Sequence, residues 1–443
     1  MKIQLSSGTI LATLFCLLMV VSAGCIGADY VANRDVVVIR LNPDGTAAWS
    51  GVVDTGHDDS ALDLIETPDG GLLIAGGRTS ERIGPPSPRL IRLSPGGTIL
   101  WDRVLEDGPG ELTAVTMTHD GDYAAVSLDG RIWRLDPDGN IRWSLSSGLE
   151  QVWSVIATAD AGFVVAGEAT GRIPVDTVVV YNPDGTVSSR PPAANETVVT
   201  PGCSETSLPA GPDRTVMVTQ CTAPMKIVSQ GAVMKLGGDG DIIWKRSFGT
   251  EGLTSAWSVF ENPAGGEYLV AGFSEHPVDE VNYTTYLSAV RLDTNGNPVQ
   301  VSWIDQTGYY KPPVLRTIPD GYELLYVHTS LVDGAFSNKP AVVRISRDGS
   351  VSVPEIIDAG VIITRTGDGG YFFAGFPPIT RNQGYGEAVF GRADRFSLHA
   401  IKLDPDGTRT WDREIQGIPI NSVKKVIQTS DGGYVILAMR ENY

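Results

Sequence analysis

VIRLNPDGTAAW at residues 38–49 returns as LIRLSPGGTILW at 90–101, IWRLDPDGNIRW at 132–143, VMKLGGDGDIIW at 233–244 and AIKLDPDGTRTW at 400–411. Each copy is an apolar run, a Gly turn and a second run that ends on a Trp four residues past the Gly. The pairs are Gly45 with Trp49, Gly97 with Trp101, Gly139 with Trp143, Gly240 with Trp244 and Gly407 with Trp411. Asp-Gly and Asn-Gly turns favour hairpins because Gly tolerates positive φ, and the flanking residues are β-branched or aromatic and mostly alternate. Weaker copies without the Trp stand at VVVYNPDGTVSS (Gly185), AVRLDTNGNPVQ (Gly296) and AVVRISRDGSVS (Gly349). Eight copies result, with a mean Gly-to-Gly spacing of about 52 residues.

A second hairpin alternates with the first. Its copies are LIETPDGGLLIAG (Gly70), VTMTHDGDYAAVS (Gly121), VIATADAGFVVAG (Gly162), SLPAGPDRTVMVT (Asp213), VFENPAGGEYLVAG (Gly265), LRTIPDGYELLYV (Gly321), IITRTGDGGYFFAG (Gly369) and VIQTSDGGYVILA (Gly432). Two hairpins per repeat give four strands, and four-stranded units of about 50 residues are blades of a β-propeller. The chain begins on a Trp hairpin and ends on a DGGY hairpin, so one blade must be assembled from residues 423–440 and 35–52, closing the ring. The expectation is an all-β, eight-bladed propeller with four antiparallel strands per blade, closed by its N- and C-terminal hairpins. The alternative is seven blades with one degenerate unit, placed around Gly349.

The chain has 443 residues, 51 Gly and 28 Pro, yet 42% hydrophobic residues. That is a folded chain punctuated by turns. Length alone points to three domains; the repeat replaces them with one propeller domain over 35–443. With 52 acidic against 34 basic residues the formal charge is −18. No basic face for nucleic acid is apparent.

The Gly-x-x-x-Trp hairpin resembles the tryptophan-docking motif of the eight-bladed quinoprotein and PQQ-like propeller superfamily. That resemblance implies that Trp49, Trp101, Trp143, Trp244 and Trp411 pack against the neighbouring blade. The DGGY half-repeats further resemble those of secreted propeller proteins of archaea and bacteria. Quinone-dependent dehydrogenases of the superfamily carry an adjacent Cys pair, a Ca²⁺ site and a catalytic Asp. No Cys-Cys dipeptide occurs here, so no quinone cofactor is expected. A lipid-anchored, non-catalytic propeller of the bacterial outer-membrane assembly machinery is the better analogy.

Residues 1–24 carry one charge, Lys2, then an apolar run from Ile10 to Val21 and the small residues Ser22-Ala23-Gly24 before Cys25. Twelve apolar residues are too few to span a bilayer, and the pattern reads as an export signal. Cys directly after Ser-Ala-Gly resembles a prokaryotic lipobox, with Ser22 where Leu is usual. It implies lipidation of Cys25, a linker over 25–34, and an exported chain in contact with the membrane only through its anchor. The alternative is a plain signal peptide with an incidental Cys. Removing the leader with its Lys2 leaves 33 basic residues against 52 acidic, a charge of −19.

Cys203 and Cys221 each lie nine residues from Pro212, the centre of a Gly-Pro-Asp turn. A hairpin about that turn brings them near or opposite each other, within reach of a disulfide that export would preserve. Two buried thiols are the alternative. His57, His119, His276, His328 and His399 are scattered over different repeats with no metal-ligand spacing, and no metal or cofactor is expected. The Asp-Pro-Asp-Gly segments at 136–139 and 404–407 are turns without the spacing of a calcium loop.

In each blade the tight turns lie on one face and the longer connections on the other, where loops carry function on a rigid scaffold. Those connections include 78–88, 274–287 and 376–398 within blades, and 55–60, 191–202 and 304–313 between them. Loop 376–398 gathers Arg381, Gln383, Tyr385, Arg392 and Arg395 with Phe390 and Phe396, residue types enriched at binding hot spots. Asn195 and Asn282 head glycosylation sequons on the same face. The expected function is a monomeric, non-catalytic, cell-surface binding or scaffold lipoprotein for an envelope or extracellular protein, or a carbohydrate. The alternative is an enzyme on a carbohydrate or small molecule in the central channel, with Asp63, Glu66 and Glu261 on inner strands as participants.

Overall fold

A computed structural model of the chain describes residues 33–79, 85–105, 108, 110–174, 178–181, 187–190, 203–209, 215–221, 225–248, 253–263, 266–277, 283–306, 312–332, 335–357, 362–376 and 398–442. They form seven four-stranded antiparallel sheets and two separate two-stranded ones. Blade 1 consists of Asp58–Glu66, Leu72–Thr79, Ser87–Leu93 and Ile99–Val104. Blade 2 follows with Leu112–Met117, Tyr123–Ser127, Arg131–Leu135 and Ile141–Ser146. Blade 3 is built from Gln151–Ala157, Phe163–Pro174, Met225–Leu236 and Ile242–Ser247, and blade 4 from Ser255–Glu261, Tyr268–Pro277, Tyr283–Leu292 and Pro298–Gln306. Blade 5 contains Val314–Ile318, Gly321–Val332, Ala335–Ser346 and the short Glu355–Ile356; blade 6 contains Ile362–Arg365, Tyr371–Gly375, Leu398–Leu403 and Arg409–Ile415. Blade 7 joins Ser422–Gln428 and Tyr434–Asn442 to Asn33–Leu41 and Ala47–Val53.

The middle strands of a blade are covered on both faces by neighbouring blades. They therefore read as continuous apolar runs, and Val36, Val37, Val38, Ile39, Leu72, Leu73 and Ile74 are all buried. Fourth strands form the outer rim and leave Ile99, Leu100, Ile242 and Ile243 about half exposed. The apolar core divides into seven clusters, each joining two adjacent blades. Closure comes from a ladder running from Asn33↔Asn442 to Leu41↔Tyr434, which leaves no open edge between the two ends of the chain.

The ring has seven blades, not eight. The extra unit came from counting the Gly185 and Asp213 hairpins as two halves of blades. Val178–Tyr181 pairs only with Val187–Arg190, and Cys203–Pro209 only with Thr215–Cys221, each as an isolated two-stranded sheet. Meanwhile Phe163–Pro174 pairs along its whole length with Met225–Leu236. The stretch 175–224 is thus an insertion between the second and third strands of blade 3. Nor is the Gly349 hairpin a degenerate unit outside the ring: it supplies the outer strands of blade 5. A hairpin placed inside a blade carries the same turn chemistry as a half-blade, so the turn pattern alone cannot separate them.

Candidate functional site

On the tight-turn face each Trp of the repeated hairpin crosses to the next blade. Trp49 Nε1 donates to the Pro95 carbonyl at 2.9 Å, Trp101 to Pro137 at 3.2 Å, Trp143 to Gly238 at 3.1 Å, Trp244 to Thr294 at 3.3 Å and Trp411 to Pro43 at 3.1 Å. The indole lies over the turn Gly of the acceptor blade. A Cβ added at Gly97 would come within 2.8 Å of the Trp49 ring, and at Gly296, where φ is +76°, within 2.6 Å of Trp244. Glycine is required there for space as well as for φ. Trp143 docks on the Gly238–Gly240 turn and bypasses Gly185, independent testimony that the Gly185 hairpin stands outside the ring. At the sixth junction Gln300 lies over Gly349, and at the seventh Val353 is exposed while no described residue approaches Gly407. The blade 5–blade 6 junction therefore lacks an indole. Besides its apolar cluster it has Glu323, which accepts Arg316 and Arg344 from its own blade and Arg365 from blade 6.

A clamp recurs beneath these turns. Thr67, Thr118, Thr158, Thr366 and Thr429 each donate a hydroxyl hydrogen bond to the Asp two residues on. That Asp then pairs with a cation from the third strand: Asp69 with Arg92, Asp120 with Arg134, Asp160 with Lys235, Asp368 with Lys402 and Asp431 with Arg40. The Thr67 hydroxyl and the Arg92 guanidinium hold the Asp69 carboxyl down at about 2, and Thr429 with Arg40 does the same for Asp431, also at about 2. Lys402 and Thr366 hold Asp368 well below the usual carboxylate range. Carboxyls depressed in the folded state stabilise it fully above an unfolded pKa of about 4, and this stabilisation is lost as pH falls through their folded values. The thermal midpoint should be flat from pH 7 to 5 and fall steeply between about pH 4 and pH 2. Asp69→Asn with Asp431→Asn should lower the plateau and shrink that fall, measured by thermal unfolding across the range.

The first strands of all seven blades surround a central cavity of about 370 Å³. Five of them carry a bulge at the same place, which leaves Leu62, Thr113, Trp153, Trp257 and Lys424 opposite no partner on the second strand. A bulge re-aims a side chain, and here it puts five wall residues at one level of the channel. The Trp153 and Trp257 rings stack at 5.0 Å between centroids and 25° between planes. Trp257 Nε1 donates to Ser255 Oγ, and the Ser255 hydroxyl donates to Glu168. Lys425 pairs with Asp63, whereas Lys424 has no hydrogen bond or ion pair among the described residues.

The three inner-strand carboxylates are not brought together as an acid–base pair. Asp63 is buried and accepts the backbone N–H groups of Leu64 and Val115, each at 2.9 Å, besides Lys425. Glu66 accepts the Ser430 backbone N–H at 2.7 Å, and Glu261 accepts that of Ala159 at 2.8 Å. All three tie one blade to another. His328 bonds Asp305 and His399 bonds Asp412, while His57 Nδ1 approaches the Thr55 carbonyl. Among the described residues no group of three metal-ligating side chains occurs, and no helix is long and apolar enough to cross a membrane.

The opposite face is uneven. In blade 3 the pairs from Ala169↔Gln230 to Pro174↔Met225 extend beyond the reach of the first and fourth strands. Blade 5 does the same from Val327↔Pro340 to Val332↔Ala335, and blade 4 from Glu275↔Thr285 to Pro277↔Tyr283. Three neighbouring blades thus raise two-stranded ribbons on one side of the rim. Segment 191–202, expected between blades, belongs to the insertion of blade 3, and 274–287 is largely ribbon. The chain enters on this same face at Asn33, across the ring from the ribbons. Cys203 lies directly opposite Cys221 in its hairpin. Cys25, Asn195 and Asn282 lie outside the described residues, as do Arg381, Gln383, Tyr385, Phe390, Arg392, Arg395 and Phe396.

No family model matches the chain, and no curated protein matches it. Solved structures do, and they are β-propellers. The Dos1 propeller shares 10% identity over 85% of this chain and 92% of its own, at a TM-score of 0.42. BamB from Moraxella catarrhalis shares 14% over 92% and 100%, at 0.32, and the C-terminal WD40 domain of Sif2 shares 12% over 86% and 97%, at 0.39. At these identities the likeness concerns the fold alone.

Proposed function

We propose that this protein is a non-catalytic scaffold that holds a protein partner on the ribbon-bearing face of its propeller, outside the cell. The observation that carries the reading is the asymmetry of the two faces. One is a set of short hairpin turns, five of which receive a tryptophan of the neighbouring blade; the other raises ribbons from blades 3, 4 and 5. A rigid ring that displays long connections on one side is suited to binding in general, although fold does not fix function. Against a channel hydrolase stands the commitment of Asp63, Glu66 and Glu261 to backbone amides of neighbouring strands and turns.

Lipidation of Cys25 would add a constraint. Seven residues separate Cys25 from Asn33, and the eight Cα–Cα steps reach at most about 28 Å, so the anchor would hold the ribbon face towards the bilayer. The partner in this reading is a membrane-proximal envelope protein. A disulfide between Cys203 and Cys221 would stiffen the inserted hairpin by closing a loop worth about 3 kcal/mol. The test is crosslinking of the anchored chain in its native envelope, beside a variant with 175–224 replaced by Asn-Gly. The expected result is a specific partner captured by the full chain and lost or strongly depleted with the variant. Capture of identical proteins by both would refute a partner held through the blade 3 insertion.

A further inference from the structure

The channel wall holds an arrangement that the scaffold reading does not use. Blade 7 is three blades from both blade 3 and blade 4, so Lys424 faces the stacked Trp153 and Trp257 across the channel. All three stand at bulged positions of their inner strands, hence at one level. Leu62 and Thr113 occupy the remaining bulges of that level, and Val314 of blade 5 also lines the cavity.

Lys424 is partly buried and makes no hydrogen bond or ion pair among the described residues, while its sequence neighbour Lys425 has Asp63. Burial, aided by the nearby Arg34, pushes the Lys424 ammonium below its ordinary value, against a smaller opposing effect of Glu111. Glu111 accepts the Ser60 hydroxyl, and Arg34 is engaged with Asp58. A desolvated cation without a partner is costly, and an entering anion relieves that cost. Two of the cavity's hydroxyls are already bonded, Thr113 to the Val152 carbonyl at 2.8 Å and Ser258 to that of Pro313 at 2.7 Å. A flat apolar body would find two indoles and aliphatic walls there.

We infer that the central channel is a binding site for a small organic acid with a flat apolar body, its carboxylate paired with Lys424 and its ring against the Trp153–Trp257 stack. The cavity volume lies in the range of small-molecule sites. The probes are phenylacetate, its neutral isostere phenylacetamide, and galacturonate, applied to the purified full chain. Saturation-transfer NMR should show ring-proton saturation for phenylacetate with saturable binding, weaker binding of phenylacetamide and none of galacturonate. Lys424→Gln should weaken phenylacetate by roughly tenfold or more, the worth of a charge-assisted hydrogen bond, and leave phenylacetamide unchanged. Trp153→Leu should weaken both, with thermal unfolding confirming that each variant is folded. No saturable phenylacetate binding by the wild-type chain would overturn the inference. So would equal affinity for acid and amide, insensitivity to Lys424→Gln, or a preference for galacturonate.

Discussion

Arg89→Met should destabilise the ring by about 3–5 kcal/mol, the usual cost of leaving a buried charge without its partner. Arg89 is only 1% exposed; its Nη1 lies 2.5 Å from Asp59, whose side chain is 0% exposed, and its other nitrogens grip Asp102. Burial already pushes the Asp59 carboxyl up, opposed by the Arg89 charge and the Thr55 hydroxyl. Without Arg89 the carboxyl can enter the folded state only by taking a proton. A raised folded-state pKa favours folding below the unfolded pKa and loses that advantage as pH rises through the folded value. The penalty should therefore be smaller near pH 4 than at pH 7, and Asp59→Asn added to Arg89→Met should recover part of it. Urea unfolding of the three proteins at both pH values measures this. A pH-independent loss would point to packing rather than charge.

The second large effect concerns the docking tryptophans. Trp244 is buried at the blade 3–blade 4 junction, packs edge-on against Tyr268 at 5.8 Å and bonds the Thr294 carbonyl. Trp244→Ala should cost about 3–5 kcal/mol through lost burial and the cavity left behind. The opposite experiment lies at the blade 5–blade 6 junction, one of two without an indole. Val353→Trp places the missing ring over Gly407, where no described residue stands within 4 Å. It should stabilise by about 0.5–2 kcal/mol, as cavity-filling changes do. Urea midpoints of both variants read the two signs, and a destabilising Val353→Trp would mean that the turn at Gly407 is not a docking site like its five counterparts.

Much of the architecture was legible because each blade repeats its turn chemistry. The Gly-x-x-x-Trp spacing places a positive-φ turn and an outer-strand Trp on the same face, and the half-repeats at the two ends announce the closing blade. What misled was also local: the sequence NPDGT at 182–186 repeats NPDGT at 42–46, though the first lies in an insertion. A discriminating signal was present elsewhere. The Gly185 copy has Val180-Tyr181 where ring blades carry a cation before the turn. Arg89 with Asp59, from the third and first strands of one blade, and Glu323 with Arg365, from adjacent blades, are partners that spacing alone does not bring together.

The channel level escaped sequence reading for a different reason. Its five residues project because of bulges, and a bulge leaves no mark in alternation beyond a slip of one residue. The recurrence of WSV at 153–155 and 257–259 was the available signal.

The most direct test of the seven-bladed ring is thermal unfolding of the chain in which Asn-Gly replaces 175–224. Pro174 and Met225 are directly opposed, so a two-residue turn can close the ribbon without disturbing blade 3. The ring described here predicts one cooperative transition within about 4 °C of the full chain and an unchanged β-sheet spectrum. Loss of the transition, or a fall of tens of degrees, would mean that a blade had been removed and would contradict the account.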